Sequence, residues 1–158
     1  MKRIVSIALT ALVCLSLTGC SKIYYYFNDT VSFRLENESN QKIYMASVSF
    51  GTEDTVFGSM SGENADGTAL ADKGKDCLVF PVEEGDMNDT ALEDMVFDFY
   101  VCTVKDSDFI YVGRVIVTSP KLHQTYTLTI RQENDKLILS SNDSNINIIY
   151  EVRSQKAE

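Results

Sequence analysis

Along most of its length the chain alternates apolar with polar residues, and this period of two restricts the fold more than any other feature. Within Met95–Lys105, the residues Met95, Phe97, Phe99, Val101 and Thr103 share one parity, and Val96, Asp98, Tyr100, Cys102 and Val104 share the other. Successive side chains of a strand point to opposite faces, so the first set makes a core face and the second a mixed face turned toward water. The same pattern predicts strands near Thr30–Leu35, Lys42–Phe50, Cys77–Val82, Phe109–Thr118, Thr125–Gln132, Lys136–Ser140 and Ile146–Val152, with a weaker one near Thr55–Met60. Between them lie ENESNQ, KDSD, ENDK and SNDSN, whose short polar side chains bond the local backbone and favour turns. In TYTLTIRQENDKLILSS the segment END turns one strand back on the next. Past the opening residues no helical period emerges, and Gly67 and Gly74 limit Ala65–Lys75 to at most one turn of helix.

Eight or nine short strands without helices imply an all-β domain over residues 30–153, with a polar tail at 154–158. The architecture expected is an antiparallel two-sheet sandwich, immunoglobulin-like or transthyretin-like, with a small closed β-barrel as the alternative. SPKLHQTYTL resembles the tyrosine corner of such sandwiches, with Tyr126 opening a late strand after a proline-containing loop.

The first residues have a different design. Lys2 and Arg3 form a short basic head, and Ile4–Leu17 an apolar run that is too short to span a bilayer, which needs roughly 20 residues. The run ends in Leu17-Thr18-Gly19-Cys20, which resembles the lipobox of bacterial lipoproteins. The resemblance implies a signal peptide over residues 1–19, cut between Gly19 and Cys20, and a short anchor and linker over residues 20–29. Cys20 would carry fatty acyl chains such as palmitate, several of them, since a single chain binds a membrane only marginally. Ser21 in place of Asp implies the outer membrane, with the periplasmic and external faces both open. In its general look the chain is similar to small β-sandwich lipoproteins of the Bacteroidota. Asp29-Thr30-Val31, Asp54-Thr55-Val56 and Asp89-Thr90-Ala91 resemble a bacterial O-glycosylation sequon, which implies glycans on Thr30, Thr55 and Thr90. Tyr24, Tyr25 and Tyr26 suit either the headgroup layer, where amphipathic rings are favoured, or a first strand at the sandwich edge.

Without Lys2 and Arg3 the chain has 12 basic against 23 acidic residues, a net charge of −11. That balance provides no electrostatic footprint for nucleic acid. The acids concentrate between Glu53 and Asp98, where the only bases are Lys73 and Lys75. The same segment holds SGENADGTALADKGKD, the longest stretch without strand pattern, and Gly62–Asp76 is expected to be a long, mobile, acidic loop.

Chemistry-bearing motifs are sparse. Placing Gly67 at the invariant glycine of an EF-hand puts Gly62 and Lys73 where acidic ligands are required, so that motif is absent. His123 is the only histidine, and no CxxC, HExxH or GxSxG spacing occurs, so neither a metal nor a cofactor is expected. Cys77 and Cys102 fit either a disulfide, which contributes about 3 kcal/mol through loop closure, or two buried thiols. The resulting expectation is a membrane-anchored, non-catalytic binding or assembly module. Its partner would be an envelope protein or a glycan, met through loops opposite the anchor, Gly62–Asp76 above all. The alternatives are a hydrolase using paired carboxylates and a structural lipoprotein with no dedicated ligand.

Overall fold

The computed structural model describes residues 30–72, 75–83, 91–118, 121 and 123–150; of residues 30, 75–78, 83 and 92 only the backbone is described. Gly19, Cys20, Tyr24–Tyr26, Thr90 and the tail at 154–158 therefore lie outside the described residues. Among the described residues nine strands follow one another: β1 (Thr30–Asn37), β2 (Met45–Gly51), β3 (Val56–Glu63), β4 (Lys75–Glu83), β5 (Val96–Cys102), β6 (Ile110–Val117), β7 (Gln124–Glu133), β8 (Lys136–Ser140) and β9 (Ile146–Ile149). A turn of 3-10 helix, Leu92–Asp94, precedes β5. The strands form a four-stranded sheet of order β4-β1-β7-β8 and a five-stranded sheet of order β3-β2-β5-β6-β9. Neither sheet closes on itself, so the architecture is the two-sheet sandwich and not the barrel alternative.

One pairing departs from the antiparallel expectation. β1 runs parallel to β7, from Val31 opposite Gln124 to Asn37 opposite Ile130, while every other pair is antiparallel. Parallel neighbours need a long crossover, and here the chain visits the five-stranded sheet before returning to β7.

The inward rows of the two sheets meet in one core. Phe33 lies at its centre, 4.6 Å from the ring of Phe97, 5.4 Å from Phe99 and 6.0 Å from Tyr126. Leu35, Leu128, Ile130 and Leu139 from one sheet and Val48, Val101 and Val115 from the other complete it, all without solvent exposure. Burying each such side chain contributes about 1.5–3 kcal/mol. Tyr126 is buried with them, and its hydroxyl accepts the Lys121 N–H at 3.3 Å, which is the bond a tyrosine corner makes.

The register of β6 slips against β5 between Phe99 and Tyr100, so that Gly113 faces Phe99 but Tyr111 faces Tyr100. Gly113 sits in this bulge at φ +149°, and a Cβ there would lie 3.3 Å from Cγ2 of Ile148. Because of the slip, Tyr111 and Arg114, which differ in parity, both stand on the outer face of the sheet beside Tyr100 and Asp98.

β1 enters at Thr30 and leaves at Asn37, about 23 Å further on at ~3.3 Å per residue. At the leaving end lie the β3–β4 connection, the β5–β6 turn and the β7–β8 hairpin; at the entering end lies the Thr52–Thr55 turn. The long loop expected over Gly62–Asp76 is shorter at both ends, since β3 runs to Glu63 and β4 begins at Lys75. Its first residues complete β3, and the next are pinned by their own polar groups and by a bridge to Ile43. Gly67 N–H donates to Asn64 O at 2.8 Å, Asn64 Nδ2 to Ala69 O at 3.0 Å, and Ile43 N–H to Ala71 O at 3.1 Å. Ala71 is buried and Leu70 packs on the core, apolar anchors that the absence of alternation had concealed. Nor do the acids of this segment make one patch: Glu53 and Asp54 sit at the entering end, Glu63 and Asp66 at the leaving end, and Asp98 inside β5.

Candidate functional site

Two adjoining features of the five-stranded sheet hold the unusual side chains. The first is on its outer face. Asp98 and Arg114 are 3% and 7% exposed, on the face that parity assigned to water. Arg114 donates from Nε to Oδ1 of Asp98 at 2.8 Å and from Nη2 to Oδ2 at 3.1 Å, a bidentate fork that satisfies both charges. Asp98 also holds the guanidinium more firmly protonated than usual. Tyr111 packs beside the pair, and burial, followed by the negative charge of Asp98, pushes its hydroxyl up to about 12. Its O–H donates to Ile149 O at 3.4 Å. The ring of Tyr100 bridges outward, 5.5 Å from Tyr111 and 6.5 Å from Phe109.

The second feature is a cleft of about 50 Å³ at the leaving end, lined by Tyr44, Met45, Asn64, Thr68, Cys102 and Lys105 among others. It has room for a few waters and no more. Its walls are the Asn64–Thr68 turn and the β5–β6 turn. The Thr68 hydroxyl at 2.7 Å, then the Thr68 N–H at 2.9 Å, hold the Asp66 carboxyl below its ordinary value. Cys102 is a free, buried thiol that donates to Ser107 O at 3.4 Å. Burial, then the charge of Asp108, raises its pKa, and a thiol kept protonated is a poor nucleophile. Beside the cleft the β5–β6 connection and the first residue of β6 expose three large apolar side chains, Val104 at 63%, Phe109 at 44% and Ile110 at 40%.

The residues singled out in the sequence are scattered. Cys77 lies in β4 of the opposite sheet, its side chain outside the described residues, so of the two cysteines only the Cys102 thiol is described. Thr30 opens β1, while Thr55 sits in the tight β2–β3 turn with Asp54, Thr55 and Val56 all exposed. His123 is exposed at the β6–β7 corner, with φ at +62°. Among the described residues no three of His, Cys, Asp and Glu stand together as a metal site would require.

The turn at Asn64–Thr68 and the β5–β6 connection meet across the cleft. The outer-face cluster was missed. Its one signal was Arg114, a charge inside the apolar run IYVGRVIV, with Asp98 as the matching charge one strand earlier. Comparison with family models, curated proteins and solved structures finds no match.

Proposed function

We propose that this chain is a lipid-anchored protein of the bacterial envelope, acting without catalysis of its own as a binding or assembly module for a partner protein. The observation that carries the reading is the exposure of three large apolar side chains close together in sequence, Val104, Phe109 and Ile110, at the end of the sandwich opposite Thr30. Exposed apolar side chains are where partners bury area. An anchor at Cys20 would enter from the other end, leaving the trio turned away from the membrane. A glycan is the second reading, favoured by the Tyr100–Phe109–Tyr111 ring cluster.

The test is crosslinking in native envelopes followed by capture and mass spectrometry, for the parent, Cys20→Ala, and the Val104→Asp/Phe109→Ser double variant. Acyl chains on Cys20 are expected, with a reproducible partner lost in the double variant while its melting temperature holds. An unmodified Cys20 would remove the anchor, and a partner retained by the double variant would remove the surface. A hydrolase would instead lose turnover on substitution of one or two carboxylates.

A further inference from the structure

A sheet edge offers unpaired N–H and C=O groups to any extended chain, and proteins guard such edges with proline, lysine or brevity. Three of the four edges here are guarded. β4 carries Pro81 and opens on Lys75, β8 has five residues and opens on Lys136, and β9 has four. β3 is eight residues long, without proline, lysine or arginine, and Glu63 at its end is its only charge. Its irregularity against β2 is confined to the start, between Val56 and Gly58; from Gly58 to Glu63 the pairing is continuous. The strand is also held from within. Ser61 Oγ donates to Ser47 Oγ at 2.9 Å, Ser47 Oγ donates to Met60 O at 3.1 Å, and Met60 packs on the core.

We propose that the edge of β3 that no described strand pairs with is a strand-addition site, and that its occupant is an extended segment of a partner protein, alternating apolar with polar residues and basic at both ends. The alternation follows from the two sides of the edge. One row of the added strand lies beside the core-facing Met60, the other beside the exposed Ser59 and Ser61. The basic ends follow from charge: Glu53 and Asp54 precede β3, and Glu63 and Asp66 close it. A second copy fits badly. Antiparallel pairing centred on Ser59 and Met60 sets each Glu63 against the other's Val56, next to Asp54, and facing like charges destabilise a strand pair. The site goes beyond the function proposed above and needs neither the lipid nor the Val104–Ile110 surface, so either can fail alone.

The full chain in mild detergent is titrated with a fluorescein-labelled peptide of alternating threonine and valine, with two lysines at each end. Amide hydrogen exchange is followed residue by residue. Saturable binding is expected, about tenfold weaker when glutamates replace the lysines, with exchange slowed at alternate amides of Gly58–Glu63. Neighbouring N–H groups of a strand point to opposite sides, so either Ser59→Pro or Met60→Pro removes an outward donor. Whichever of the two keeps the parent circular dichroism should lose the peptide, while Val104→Asp/Phe109→Ser should keep it. No saturable binding, equal binding of the two peptides, or slowed exchange away from β3 would overturn the proposal. So would a concentration-dependent dimer protected at β3, which would make a second copy the occupant.

Discussion

The two faces of the five-stranded sheet are buried at their centres by opposite means. Inward, Phe97, Phe99 and Val101 are covered by the other sheet, and any apolar group of the right volume would serve. Outward, Asp98 and Arg114 are almost as inaccessible with no second sheet over them among the described residues, and what makes their burial tolerable is directional, a two-point fork in a fixed geometry. The inner face depends on packed volume, whereas the outer face depends on having its partner.

Substitutions should separate the two faces. Phe99→Ala, at a site with no exposure and rings at 5.4 and 6.2 Å, should cost about 3–5 kcal/mol by denaturant unfolding. Asp98→Ala should cost about 3 kcal/mol, because it strands the Arg114 guanidinium; the double variant Asp98→Leu/Arg114→Met should return to within about 1 kcal/mol of the parent. A double variant as unstable as the single one would break the comparison, since the loss would then be of shape and not of a partner. Gly113→Ala sharpens it at the bulge that brings Tyr111 and Arg114 to one face. A loss of about 2 kcal/mol is expected from the left-handed backbone and the tight approach of Ile148, with the Tyr111 pKa falling back toward its ordinary value. The smallest effect is alkaline. Folding raises the Tyr111 pKa from 10.0 to about 12, so its contribution is complete below pH 10.0 and is lost as pH rises through about 12. Relative to Tyr111→Phe, the parent should lose stability in that window, and parallel stability curves would refute the shift.

The best-read strands were legible because one face of each is buried, and a buried face imprints alternation on the sequence. β8 was read to the residue and β7 to within one at each end, since Tyr126, Leu128 and Ile130 all point inward. β2 was read three residues too early because Ile43 is buried by its bridge to Ala71 and not by the ladder. The contacts within Asn64–Asp72 were not foreseen for a related reason: they are Asx-type bonds and two apolar anchors, which have no period. Asp98 was assigned to water because parity tells which way a side chain points and not what stands beside it. Its partner is sixteen residues away, brought to the same face by a bulge that parity counting does not foresee.

The parallel pairing of β1 with β7 also sets a timetable. Val31 waits for Gln124, 93 positions later. At about 5–20 residues per second, the chain that supplies this neighbour takes roughly 5–20 s to follow β1 from the ribosome. β1 is the second strand of its sheet and cannot acquire both neighbours early, so the four-stranded layer closes only when nearly all of the polypeptide is present. A fold wired in this way stays open while it is being made, late to lock and slow by topology, and for that interval it remains within reach of whatever must thread, cut or carry an unfolded chain.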